Sequence, residues 1–229
     1  MSFQIAIDGP VAAGKGTVAK LTASRLGFLY VDTGAMYRAT AWLGSKYEVP
    51  WENEQSVVDL LQKHTIMLRT PIEEEKDGRA ITVLIDGEDV SWAIRTEELS
   101  KGASIVSQHT RVRQELVKQQ QKIAESTDVV MEGRDITFRV LPQAQLKIYL
   151  DADIAVRAQR RHIELLTRGI DVTLEQVQNE LQARDDRDMH RTVDPLHITN
   201  DAWVLDTTPL SIEEVVEKIV EKVKEVRKA

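Results

Sequence analysis

Residues 9–17 read Gly9-Pro10-Val11-Ala12-Ala13-Gly14-Lys15-Gly16-Thr17, and no other segment restricts the fold as tightly. A short apolar strand at residues 3–7 precedes it. Val18, Leu21, Ala23 and Leu26 then continue it as a helix that Gly27 ends. A glycine-rich turn between a strand and a helix can fold its N–H groups around a phosphate at the positive end of the helix dipole. The segment therefore predicts a P-loop, with residues 9–17 binding ATP and Lys15 reaching the β- and γ-phosphates. Gly16 stands where P-loops usually carry a Ser or Thr that ligates Mg²⁺, and Thr17 follows it. Mg²⁺ is therefore expected to be held mainly through phosphates and water, with Thr17 or Asp32 as its candidate protein ligands.

Strands and helices alternate along most of the remaining chain. A second strand at residues 28–31 is broken by Asp32-Thr33-Gly34, and residues 35–47 are helical by pattern. Residues 65–68 and 81–85 read as strands around a charged turn at 73–78, and Asp86-Gly87 signals a tight turn. Helical patterns run to about residue 125, and apolar runs at 128–131 and 146–150 suit strands buried on both faces. Two charged helices follow at 153–166 and 173–191, the second opened by a Thr173/Gln176 capping box. Thr167-Arg168-Gly169 between them reads as a hinge or turn. A strand at 203–205 precedes a last helix from about residue 210, whose Ile212, Val215, Val216, Ile219, Val223 and Val226 share one face for packing on the sheet. Trp42 and Trp51 suit packing within a lobe. The fold class is α/β: a central parallel sheet flanked by helices, a small antiparallel insert at about 65–90, and a helical lid. The 229 residues suit one domain, with an acceptor lobe at about 33–105 and a lid at about 153–191.

Composition narrows the function. A net charge of −7 argues against bulk nucleic-acid binding. The absence of cysteine excludes disulfides, thiolate metal sites and thiol nucleophiles, and the five histidines show no metal-ligand spacing. No segment is apolar enough to span a bilayer, and residues 1–4 lack the features of a secretory signal. A cytoplasmic, monomeric enzyme is the expectation.

Three further motifs gather charge, two of them at predicted strand ends. Asp32-Thr33-Gly34-Ala35-Met36-Tyr37-Arg38 follows the second strand, and Glu132-Gly133-Arg134-Asp135 follows a buried one. In Arg184-Asp185-Asp186-Arg187-Asp188-Met189-His190-Arg191, residues Arg184, Asp188 and Arg191 fall on one helical face. Taken singly, each is compatible with an ion pair, a helix cap or a solvated face.

In this order, and joined by Ile94-Arg95-Thr96-Glu97 and Arg111-Val112-Arg113, these motifs resemble those of bacterial cytidylate kinases over nearly the whole chain. The resemblance implies transfer of the γ-phosphoryl group of ATP to CMP or dCMP. It implies that Thr33, Tyr37 and Arg38 line the CMP pocket, with Arg38 on the phosphate. Ser104, Arg113, Arg134 and Asp135 would surround the cytosine. Arg184 and Arg191 would approach the phosphates, and Asp188 would hold the sugar. Arg157, Arg160 and Arg161 would belong to a lid over ATP, and Lys15, Arg134, Arg184 and Arg191 would form the catalytic set. The family usually reads Gly-Thr where this chain has Thr137-Phe138, and glycine is frequent at the position of Ala12. A P-loop kinase for another small acceptor remains an alternative, as does an ATP-hydrolysing switch, although Gly16 speaks against the switch.

Overall fold

The computed structural model describes residues 2–75 and 77–228; Lys76 of the expected charged turn lies outside them. β1 (Gln4–Asp8) is the central strand of a five-stranded parallel sheet ordered β2-β6-β1-β7-β8, where β2 is Leu29–Asp32, β6 Val129–Glu132, β7 Leu146–Asp151 and β8 Trp203–Asp206. Ile5, Ala6, Ile7, Val129, Val130, Met131, Ile148 and Leu150 are fully buried, which is why these runs do not alternate with polar residues. α1 (Lys15–Leu26) and α8 (Ile212–Val226) pack together beside the sheet through Val18, Ala19, Val215, Val216, Ile219 and Val223. Ile212, expected on that face, is exposed instead, because it is the first residue of α8 and a full turn short of the sheet contact.

The lobe between β2 and β6 holds α2 (Thr33–Lys46), α3 (Glu54–Lys63), α4 (Glu97–Val106) and α5 (Thr110–Ser126). β2 ends at Asp32 as expected, but the helix starts two residues earlier than the expected 35: the Asp32 side chain accepts from the Ala35 N–H and caps α2 directly at Thr33. The pattern does not predict α3, a ten-residue helix capped by Asn53 and held by Val57, Val58, Leu60 and Leu61. The insert is a three-stranded antiparallel sheet of β3 (Ile66–Arg69), β4 (Thr82–Ile85) and β5 (Glu88–Asp89). Asp86 and Gly87 join β4 and β5 with φ values of 51° and 87°, as a two-residue turn with two positive φ angles requires. Trp51 is clamped between α2 and α4: a Cβ added at Gly44 or Gly102 would meet its ring at 2.8 or 2.7 Å, and its Nε1 donates to Ala41 O at 2.9 Å.

α6 (Ile154–Thr167) and α7 (Leu174–His190) form a hairpin with a small core of its own, Ala158, Leu165, Val177 and Leu181, which reaches the rest of the molecule through Val11 and Ala12. The Thr173/Gln176 capping box opens α7. Arg168 and Gly169 are the turn at the hairpin tip, with Gly169 at φ 76°.

Candidate active site

The sheet register places the chemistry. Asp32 lies beside Glu132, and Glu132 beside Ile7, so the carboxyl ends of β2, β6 and β1 deliver Asp32, Glu132 and Asp8 side by side. Gly9 turns the chain here with φ 147°, and an added Cβ would strike the Leu150 carbonyl oxygen at 2.0 Å. Ala12 has φ 60°, a left-handed conformation in which a glycine would be unstrained.

A cleft of about 430 Å³ opens above these strand ends. Nine lysine and arginine residues line it against six carboxylates, an excess of three positive charges in a chain whose net charge is −7. Lys15 is buried, and its Nζ donates to the carbonyls of Gly9 and Pro10 at 2.8 and 2.7 Å. Burial, and then the charge of Arg134, lowers its ammonium to about 7. Burial, and then the Asp32 carboxylate, raises Glu132 to about 7. A bound triphosphate would restore the Lys15 pKa toward its ordinary range. The amine, mostly neutral in the empty site above its folded pKa, would then take up a proton on binding, and affinity would fall as pH rises past about 7. Calorimetry with ATP at about pH 8 is expected to give heats that vary with the ionisation enthalpy of the buffer in the sense of proton uptake. Buffer-independent heats would contradict the assignment.

The expected acceptor residues converge on the far half of the cleft. Thr33 Oγ1 donates to the Glu132 carbonyl at 2.8 Å. Gly133 has no room for a side chain, because an added Cβ would meet Thr33 Oγ1 at 2.7 Å. Arg38 Nη2 pairs with Asp32 at 2.8 Å, while its Nε is buried with no partner, a donor that an anion would satisfy. Arg113 is buried over the Tyr37 ring at 5.9 Å and donates to Asp135, with Ser104 lining the same wall. Arg134 Nε pairs with Asp188 at 2.8 Å. Arg184 reaches the cleft from α7 and makes no hydrogen bond or ion pair among the described residues; loss of solvation in the cleft, and then Arg134, lowers it to about 10. Arg191 caps α7 with extended ψ of 146°, so it continues the Arg184/Asp188 side from just beyond the helix.

The three arginines expected in a lid separate. Arg161 faces the cleft and pairs with Glu97 at 3.2 Å and Glu164 at 2.9 Å. Arg160 turns to the other side of the P-loop and donates to the Thr207 carbonyl at 2.8 Å, beside a second cleft of about 340 Å³ bordered by Ala13, Thr17 and Leu210. Arg157 is buried away from the first cleft, paired with Asp185 at 2.5 Å and donating to the Val11 carbonyl at 3.1 Å. Asp185 also accepts from the Val11 N–H at 3.2 Å. Sequence reasoning gave Asp185, Glu132, Arg95 and Glu97 no role, although all four sit inside motifs it quoted, and Arg95, Glu97 and Glu132 line the cleft.

Among the described residues no group of three or more His, Asp or Glu side chains is placed to hold a metal ion. Asp32 is already engaged by Arg38 and the Ala35 N–H, whereas Thr17 is exposed at the cleft. The residues thus fit a metal carried in by phosphates, with the Thr17 hydroxyl the freer of the two candidates. Thr137 and Phe138 need no glycine conformation. Buried Asp8 accepts from the Ile136 N–H at 2.9 Å, the Thr137 N–H at 2.8 Å and the Thr137 hydroxyl at 2.7 Å, and Phe138 packs on the His197 ring at 4.1 Å.

The model of the family described as cytidylate kinase matches residues 5–225. A protein named cytidylate kinase from Bacillus thuringiensis (strain Al Hakam) is 46% identical over 218 residues, covering 95% of this chain and 94% of its own. One of the same name from Bacillus cereus (strain AH187) gives the same figures of 46% over 218 residues, 95% and 94%. An uncharacterized protein from Eubacterium ventriosum ATCC 27560, solved by crystallography, shares the fold with a TM-score of 0.53 at 11% identity, over 97% of this chain and 99% of that one. No described helix is long and apolar enough to cross a membrane.

Proposed function

The chain belongs to the cytidylate kinase family, and from that premise we infer the reaction its cleft performs: ATP phosphorylates CMP or dCMP, giving ADP and CDP or dCDP. The single observation that carries the reading in this chain is the excess of positive charge in one cleft of an acidic protein, with the Lys15 loop at one end and the orphaned Arg38 Nε at the other.

The acceptor oxygen of a nucleoside monophosphate is already anionic near neutral pH, so the reaction needs no general base. Its barrier is the meeting of two polyanions, and positioning with spread positive charge lowers it. Lys15 leaves the Gly9 and Pro10 carbonyls for the β- and γ-phosphates. Arg38 takes the acceptor phosphate, and Arg134, Arg184 and Arg191 converge on the transferring group from the opposite wall. Guanidinium suits this role because its planar fork binds phosphate bidentately. Mg²⁺, when bound with ATP, would neutralise phosphate charge, with Thr17 the residue nearest to holding it. Asp188 would hold the sugar hydroxyl, and Ser104, Arg113 and Asp135 the cytosine. Residues 33–105 act as the acceptor lobe and residues 153–191 as the lid. The separate small core of α6 and α7 supports their movement as one unit. The enzyme works as a cytoplasmic monomer.

The test is a coupled ADP-release assay with ATP, Mg²⁺ and each of CMP, dCMP, UMP, AMP and shikimate, beside a no-acceptor control. Turnover with CMP and dCMP well above the rest is expected; silence with every nucleotide would overturn the reading. Base choice has a physical basis: cytosine offers an amino donor where uracil offers an acceptor, and the Asp135 carboxylate can only accept. Asp135→Asn is expected to lower the ratio of kcat/KM for CMP over UMP about tenfold or more. A ratio equal to wild type would remove Asp135 from base recognition.

A further inference from the structure

The connection from α7 to β8 meets the cleft-lining residues Arg113 and Arg191, and Asp194 lies within it at φ 46°, in the left-handed region that non-glycine residues rarely occupy. Its carbonyl oxygen accepts from Arg191 Nε at 2.8 Å and from Arg191 Nη2. Its carboxylate accepts from Arg113 Nε at 3.1 Å and lies 3.7 Å from Arg139 Nε. Two residues on, the Leu196 N–H donates to the Asp188 carbonyl at 2.8 Å, which fixes this turn to the end of α7. One residue therefore touches both an arginine expected on the phosphate and an arginine expected at the base.

The state of Arg113 explains the need for a second carboxylate. Its side chain is 2% exposed and each nitrogen is engaged: Nη2 with Asp135, Nη1 with the Ser107 carbonyl at 3.2 Å, and Nε with Asp194. If Asp135 turns an oxygen to the cytosine amino group, it gives up part of its hold on a buried cation. Left with Asp135 alone, Arg113 would be under-compensated as substrate binds, and its guanidinium plane would be free to turn about Nε. A carboxylate on Nε, delivered from a different element, holds the plane and balances the charge throughout.

We propose that Asp194 is a specificity-determining positioning residue, clamping Arg113 so that the Arg113–Asp135 pair presents a fixed edge to the pyrimidine. The inference rests on the reading above that this pair faces the base. The strained backbone agrees with it: a glycine would relieve φ 46° but would supply no carboxylate to Arg113.

That difference makes the test. Asp194→Gly keeps the backbone conformation and the carbonyl that holds Arg191, and removes only the carboxylate. Asp194→Asn keeps an acceptor and removes the charge. Steady-state kinetics with CMP and UMP at saturating ATP are compared with wild type and with Arg113→Met. For Asp194→Gly the KM for CMP is expected to rise about tenfold with kcat within about threefold of wild type. The KM for ATP is unchanged and the CMP-over-UMP ratio falls, while the Tm drops because a buried guanidinium loses one of its two carboxylates. Asp194→Asn lies between. If Arg113→Met raises the KM for CMP but Asp194→Gly matches wild type in KM and ratio, the role of Asp194 is overturned and the base-pocket reading stands. If Arg113→Met itself leaves CMP kinetics unchanged, both fall. Should Asp194→Gly fail to fold, Asp194→Asn reads the same two quantities, with wild-type values overturning the proposal.

Discussion

Lys15→Met lowers kcat about a thousandfold, the scale of removing a cation aimed at charge that develops in the transition state. The fold is expected to survive the change. The Lys15 ammonium is buried with its pKa brought down to about 7, so the empty enzyme gains little from its charge, and methionine keeps the length and apolar character of the stem. What is lost is the donor that now rests on the Gly9 and Pro10 carbonyls and that ATP would draw onto its phosphates. The same substitution is expected to reduce the proton uptake on ATP binding, the remainder coming from Glu132, whose carboxyl sits at about 7 in the same cleft. Initial rates under saturating CMP and ATP, beside a thermal melt, check it. A kcat within about tenfold of wild type would show that the arginines suffice, and Lys15 would then serve only to shape the loop.

Lys15 was legible in the sequence because its surroundings are local. A strand, a glycine turn and a helix within two dozen residues define the loop, and Gly27 ends α1 in the left-handed conformation that a C-terminal glycine predicts. The Thr173/Gln176 cap is legible for the same reason. Tertiary partners are not. Arg157 and Arg161 are the same residue type four apart on α6 and were given the same lid role from sequence. Asp185 reaches across from α7 to bury the first, while the second faces Glu97 over the cleft. Asp194 carries no motif, and its contacts with Arg113 and Arg191 depend on how the chain leaves α7. α3 is short, and its four apolar residues make a weak helical signal until α5 and α2 cover them. Glu132 is plain in the sequence. Its weakened acidity comes from burial and then from Asp32 on the neighbouring strand, a pairing that only strand order provides.

Asp185→Ala is expected to be the most destabilising single change at the lid, by about 3–5 kcal/mol, because it leaves the buried Arg157 guanidinium without its counter-charge. For a chain of this size that corresponds to a fall in Tm of roughly 10 °C. The effect also reaches the P-loop, since the same carboxylate accepts from the Val11 N–H and Arg157 donates to the Val11 carbonyl. The pair thus holds both polar groups of one loop residue against α7, next to the patch where Val11 and Ala12 meet the lid core. Arg157→Met alone should cost less, because Asp185 keeps the Val11 N–H as a donor, whereas Arg157 without Asp185 keeps only the neutral Ala152 and Val11 carbonyls. Combining the two should cost less than Asp185→Ala alone, since no uncompensated charge remains. Thermal melts of the three variants form the double-mutant cycle. Additive losses would mean that Arg157 and Asp185 act independently, and the lid would then be fastened to the P-loop by its apolar contacts alone.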